Sequence, residues 1–180
     1  ITWLDESHLL LGIEEGVETK LYTVRIADGS MQRVCQELPA TIDALSVADD
    51  GNSLALVAQD VDELPEVWRA DIESDTIEKL TSLNIPGDEL RLGECTARTW
   101  TSTGNIEIEG LVTLPVGYEE GKTYPTIAVV HGGPWGRHHR EVRLGKRQLF
   151  ANNGYVVLEV NYRGSSGYGQ SFLHAGDAEW

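Results

Sequence analysis

The chain has only two cysteines in 180 residues, Cys35 and Cys95, and they stand 60 positions apart. That excludes a disulfide framework and a zinc-type ligand spacing, and leaves two ordinary thiols. Basic residues are scarce: 14 Lys and Arg stand against 29 Asp and Glu, for a net charge of −15. A nucleic-acid partner is excluded on that ground, since phosphate binding needs a positive surface. No apolar run approaches the roughly 18 residues of a membrane-spanning helix, so no membrane partner is expected. An initiator methionine is absent, and so is a basic-then-apolar leader pattern. The chain opens inside the strand-like phrase ITWLDESHLLLGI and stops at Trp180 with no closing signal, so a fragment of a longer protein is expected.

What is present divides in two. Residues 1–98 hold 21 acidic and 7 basic residues, whereas residues 99–180 hold 8 and 7. Apolar content of 41% with 24% charge fits a soluble globular chain, and the charge break predicts two domains.

Residues 1–35 and 45–81 follow one phrase. ITWLDESHLLLGI leads to KLYTVRIADGSMQRVC, and LSVADDGNSLALVA leads to EVWRADIESDTIEKLT. Asp5 aligns with Asp49, Leu10 with Leu54, Tyr22 with Trp68 and Ile26 with Ile72, a period of about 45 residues, near that of propeller blades. Apolar–polar alternation broken by Asp-Gly and Ser-Asp turns predicts four short antiparallel strands per unit. A small antiparallel sandwich is the alternative. Two blades cannot close a ring, so further blades are expected before residue 1.

Residues 82–98, with Pro86, Gly87 and Gly93, match neither phrase and mark a joint. A hairpin is predicted next: strand 98–102, a turn at Thr103-Gly104-Asn105, and strand 106–114. TIAVV is an unbroken apolar run, predicting a strand covered on both faces. Val142, Leu144, Leu149 and Phe150 then fit one side of a helix, weakened at Gly145 and stopped at Asn153-Gly154. YVVLEVNY predicts a second buried strand, and QSFLHAGDAEW can open another helix. This alternation begins a parallel α/β sheet. Ligands meet such sheets at the carboxyl ends of strands, where HGGP (131–134) and RGSSGYG (163–169) fall.

Two chemistries suit those loops. In an oxyanion hole, a backbone N–H faces the developing charge of a substrate carbonyl, and glycine lets that carbonyl approach. HGGP after a strand fits it. A dinucleotide or phosphate site is the alternative, but Gly164, Gly167 and Gly169 run G-x-x-G-x-G and not G-x-G-x-x-G. Ser165 and Ser166 lie outside any G-x-S-x-G and fit a turn. His138-His139, within the basic stretch 137–147, fits a solvated face or a contact with the acidic first part, since no third metal ligand has useful spacing. Trp135 and Tyr168 suit either pocket walls or packing.

HGGPWGR, QLFANNGYVVLEVNYRGSSGYG and FLHAGDAEW together resemble the prolyl oligopeptidase family of serine peptidases, nearest its acylaminoacyl-peptidase branch. The strong resemblance spans 126–180. It implies β-propeller blades followed by the N-terminal part of an α/β-hydrolase domain, with 1–84 the last two blades, 85–97 a linker and 98–180 the truncated peptidase domain. It implies hydrolysis of short peptides through an acyl-enzyme, with the propeller filtering access. Carried over, Gly133 offers its N–H to the oxyanion, and His131 stands where some relatives have a donating tyrosine. Gly132, Pro134, Trp135, Arg163 and Tyr168 support the pocket and its loop, and Asn161 and Tyr162 belong to that architectural support. No cofactor or metal is implied. The family's Ser, Asp and His are not among these residues, so the 180-residue chain alone is expected to be inactive. A non-catalytic binding module is the competing reading. A homo-oligomer of the full-length protein and a cytoplasmic or periplasmic location are left open.

Overall fold

The computed structural model describes residues 1–84, 91–133 and 135–176. Pro86 and Gly87 of the joint, Pro134, and the last four residues of the FLHAGDAEW phrase lie outside them.

The repeat forms two four-stranded antiparallel sheets, each a simple up-and-down meander. The first holds β1 (Thr2–Trp3), β2 (His8–Glu15), β3 (Glu18–Arg25) and β4 (Met31–Val34). The second holds β5 (Thr41–Val47), β6 (Ser53–Gln59), β7 (Glu66–Asp71) and β8 (Thr76–Lys79). The equivalences follow the sequence phrase. Leu10 and Leu54 are both buried, and Ile26 and Ile72 both donate their N–H back to the turn between the unit's first two strands, to Ser7 and Asn52. One pair shifts by a residue. Asp5 accepts the amides of Ser7 and His8, and its counterpart is Asp50, which accepts those of Asn52 and Ser53, rather than the aligned Asp49. The two sheets share one core of Leu10, Leu21, Val34, Cys35, Leu54, Leu56 and Ala70. Burial pushes the Cys35 thiol up to about 11, with Asp75 and Asp71 adding to the effect, and it raises Cys95 as well. Neither thiol is reactive near neutral pH. The chain leaves the second sheet over buried Glu66, whose carboxylate accepts the amides of Leu83 and Asn84.

The third sheet contains β9 (Cys95–Ser102), β10 (Ile106–Thr113), β11 (Thr126–Val129) and β12 (Val156–Asn161) in the order β11-β12-β10-β9. The predicted hairpin forms, turning at 103–105 with its first strand beginning at Cys95. β11 and β12 are parallel, and β10 runs against β12. Within these residues β11 is the outermost strand, with Thr126 and Ala128 exposed and Val130 71% exposed, and β12 and β10 take the inner places. The segment before β12 is not an amphipathic helix with an apolar face. A π-helical turn, Leu144–Gln148, runs into α1 (Leu149–Asn152). Leu144 and Leu149 face solvent, whereas Arg147, Gln148 and Ala151 are buried. Paired polar groups explain this inversion. Gln148 accepts the Gly93 amide at 2.7 Å and donates to its carbonyl at 3.2 Å, and Arg147 meets Glu159. α2 (Gln170–His174) follows the second glycine-rich loop. No helix among the described residues is long and apolar enough to cross a membrane.

Glycine is needed at 110, where a Cβ would lie 2.5 Å from the Glu159 carbonyl oxygen and 2.9 Å from the Trp100 indole. We expect Gly110→Ala to cost about 1–3 kcal/mol in urea unfolding through overpacking. Gly145→Ala, whose methyl meets nothing within 4 Å, should be neutral or stabilising by up to about 1 kcal/mol. Equal midpoints for the two variants would contradict this picture.

Candidate active-site loops

Because β11 and β12 are parallel, the loops that leave them, 130–143 and 162–169, emerge at the same end of the sheet. His131 joins the two. Its ring stacks on Tyr162, centroids 4.4 Å apart and planes 10° apart, and its carbonyl accepts the Tyr162 hydroxyl at 2.6 Å. The Ser165 hydroxyl donates its single proton to the Tyr162 carbonyl at 2.6 Å. The contact of 2.9 Å between His131 Nε2 and Ser165 Oγ is therefore donated by the imidazole, whose Nδ1 lies 3.1 Å from the Gly132 carbonyl. Ser165 is fully buried, so this serine–histidine pair has the spacing of a nucleophile and base but no access to substrate. Its role is the turn.

The two glycines of HGGP serve different ends. Gly133 has φ +143, and a Cβ there would lie 2.5 Å from Gly136 N and 2.7 Å from Trp135 N. Only glycine makes that bend. Gly132 has nothing within 4 Å of a Cβ position, and both glycines are exposed. Trp135 is 57% exposed, and Arg163 is half-buried.

Asn161, fully buried at the end of β12, clamps the far side of the first loop. Its Oδ1 accepts the His138 amide at 2.6 Å, and its Nδ2 donates to the His138 carbonyl at 2.9 Å and to the Tyr168 hydroxyl at 2.8 Å. Tyr168 in turn donates to Glu109 Oε2 at 2.7 Å. Burial raises the phenol's pKa, and its bond to Glu109 raises it further, so it stays a neutral donor. Tyr168 is thus a packing and hydrogen-bonding group that also lies against Phe172, 4.9 Å between centroids.

The basic stretch splits between two destinations. Arg137 and Arg140 reach the acidic first part. Arg137 donates to the Gly16 carbonyl at 2.8 Å, and Arg140 meets Asp60 at 2.9 Å and Glu18 at 3.4 Å. Around them Arg140 N donates to Val17 O, Val142 N to Gln59 Oε1, and Gly16 N to Gly167 O at 2.8 Å. Of the remainder, His138 and Arg147 turn inward and Arg143 approaches them, whereas Lys146 is exposed. Arg147 Nε bonds Glu159 Oε2, and its Nη1 donates to the Glu141 carbonyl at 2.5 Å. Arg143 approaches Glu159 Oε1 at 3.7 Å. Burial alone would raise the Glu141 carboxyl, but His139 and Arg143 hold it at about 2. His138, 1% exposed, donates from Nε2 to the Val129 carbonyl at 3.0 Å, while its Nδ1 faces Glu159 Oε1 at 3.3 Å. Neither of the last two atoms has a hydrogen-bond partner among the described residues. Burial pushes the imidazole down to about 4 despite Glu159, with Arg143 and His131 adding to the effect.

The structure therefore brings His131, Gly132, Gly133, Trp135 and Tyr168 to one end of the third sheet. The supporting groups Glu159, Arg147, Gln148, Glu109, Glu14 and Gly16 were not singled out by sequence reasoning. One signal was available: a charged Glu159 inside the apolar run VVLEVN requires a buried cation.

Residues 141–180 match the model described as the prolyl oligopeptidase family. The chain is 37% identical over 136 residues to dipeptidyl aminopeptidase BIII of Pseudoxanthomonas mexicana, covering 69% of this chain and 19% of that protein. It is 28% identical over 190 residues to a probable dipeptidyl-peptidase 5 of Emericella nidulans, covering 100% of this chain and 26% of that one. It superposes on the acylaminoacyl peptidase of Pyrococcus horikoshii with a TM-score of 0.72 at 25% identity, covering 93% of this chain and 25% of that one. The chain belongs to the prolyl oligopeptidase family of serine peptidases. It spans about a fifth to a quarter of the length of the relatives it matches.

A histidine held neutral by burial contributes stability above its unfolded pKa and loses it as pH falls. The window runs from the ordinary imidazole value of 6.5 down to about 4. We expect the urea midpoint to fall between pH 6.5 and 4.5, and to fall less in His138→Gln, whose amide can still donate to Val129. Parallel curves for the two proteins would rule out His138 as the source.

Proposed function

We propose that this chain is the junction between a β-propeller and the α/β-hydrolase domain of a serine peptidase acting on short peptides. In this reading, residues 1–84 are two blades, 85–97 the linker, and 98–180 the first part of the hydrolase domain. The tandem repetition of one four-stranded up-and-down meander, each unit a separate sheet, at a period of about 45 residues supports blades over a sandwich. The observation that carries the function is the exposed Gly132–Gly133 backbone at the carboxyl end of a parallel strand, fixed by His131 on one side and Asn161 on the other.

In the reaction, a serine outside these residues attacks the peptide carbonyl. A histidine takes its proton and returns it to the leaving amine, and an aspartate orients that histidine. Gly133 N–H and a second donor hold the oxyanion, each contributing about 3 kcal/mol. His131 shapes the loop: its Nε2 proton is committed to Ser165, so it does not reach substrate through that nitrogen. Trp135, Tyr168 and Arg163 support the loop and its rim. The glycines of the second loop favour this over a phosphate site, because a Cβ at Gly167 would lie 2.9 Å from the Gly16 carbonyl: protein already fills that approach.

The intact enzyme should be labelled by a fluorophosphonate probe, and Gly133→Ala should lower kcat about 100-fold. The 180-residue chain alone should hydrolyse no peptide above a heat-killed control. An intact protein that resists the probe and cleaves no peptide would support the binding-module reading, which the absence of G-x-S-x-G from these residues motivates.

A further inference from the structure

We propose that Arg137 is a positioning residue for the oxyanion loop. It pins the loop to the tip of the β2–β3 hairpin, making the first sheet a structural part of the site. The inference rests on the reading of Gly133 as oxyanion donor and assigns a role to the acidic first part other than filtering access.

Arg137 lies four residues after Gly133, and its side chain is only 6% exposed. Its Nη1 donates to the Gly16 carbonyl at 2.8 Å, its Nη2 to Thr19 Oγ1 at 3.4 Å, and its Nε lies 3.3 Å from Glu14 Oε2. Both hydrogen-bond acceptors and the ion-paired Glu14 carboxylate belong to the hairpin. The same hairpin holds the second loop: Gly16 N donates to Gly167 O at 2.8 Å, and Ser166 Oγ to Glu14 Oε2 at 2.8 Å. The loops also meet directly, Ser166 N donating to Gly136 O at 3.3 Å. The result is a closed circuit running Gly136, Ser166, Glu14, Arg137, with Gly16 bridging Arg137 to Gly167.

The physical need is plain. A loop with exposed glycines at 132 and 133 has no side chains there to hold it. Its donor stays aimed only if both flanks are anchored. His131 and Tyr162 anchor the near flank, and Arg137 is the side chain nearest the glycines that carries the far flank across to the hairpin. A buried guanidinium keeps this place only while its acceptors stay put. Lysine keeps the charge but cannot donate to Gly16 and Thr19 from a planar fork while pairing with Glu14.

The test compares Arg137→Met, Arg137→Lys and Arg140→Met in the intact enzyme. Arg140→Met also cuts ion pairs with the first part, to Glu18 on the hairpin and to Asp60 after β6, but leaves Arg137 in place. We expect Arg137→Met to lower kcat about 10- to 100-fold with KM changed less than about threefold. Arg137→Lys should recover part of that loss. Hydrogen exchange of amides 131–137 should speed up in Arg137→Met and not in Arg140→Met, although both variants lower Tm. Wild-type kcat and unchanged exchange in a folded Arg137→Met enzyme overturn the inference. So does an equal kcat loss in Arg140→Met, which would mean general interface damage. A wild-type protein inert to probe and peptide overturns the peptidase reading itself, whatever the exchange shows.

Discussion

A single buried carboxylate organises the C-terminal half. Glu159 sits in the centre of β12 with no exposure, and the segment 138–147, largely without regular structure, folds around it. Arg147 neutralises it, Arg143 approaches from the rim, and His138 closes the remaining side. Arg147 then spends its other nitrogens on the carbonyls of His139 and Glu141. A charge inside protein is tolerated only when paired and hydrogen-bonded, and removing one partner typically costs about 3–5 kcal/mol. The pair therefore fixes the path of the chain between the first glycine-rich loop and α1, which apolar contacts alone would leave undetermined.

The loops inherit their geometry from that path. The segment that wraps Glu159 also presents the His138 backbone to Asn161 and projects Arg137 and Arg140 outward to the first two sheets. The charge asymmetry of the chain acquires a local meaning here. Glu14, Glu18 and Asp60 meet the two arginines where the halves touch. Gly133 bends the loop, Gly132 leaves its surface open, and the ends are held by ring stacking on one side and a guanidinium on the other. Rigid flanks around a bare backbone suit the stabilisation of transient charge, since preorganised dipoles need no reorganisation at the moment of reaction.

Much of this was legible from one-dimensional patterns. The repeat of about 45 residues gave four antiparallel strands per unit, because the period-two alternation of a half-buried strand survives in sequence. The 103–105 turn and the placement of HGGP and RGSSGYG at strand ends were equally visible. The helix before β12 was misjudged for a physical reason. Apolar periodicity assigned its inner face to Leu144 and Leu149, but hydrogen-bond satisfaction gave that face to Arg147 and Gln148. Side chains that are polar by composition and buried by pairing carry no periodic signal.

The sequence by itself determined the strands, the turns and the two loops, because backbone propensity and alternation act between near neighbours. It also determined the bend at Gly133, which no other residue makes cheaply. Only the tertiary structure decided which charges are buried and which glycines face protein rather than open space. Those outcomes depend on partners 12 residues away in Arg147 and Glu159, and 121 residues away in Gly16 and Arg137. Pairing over such separations is set by the folded arrangement of sheets, and nothing in local spacing announces it.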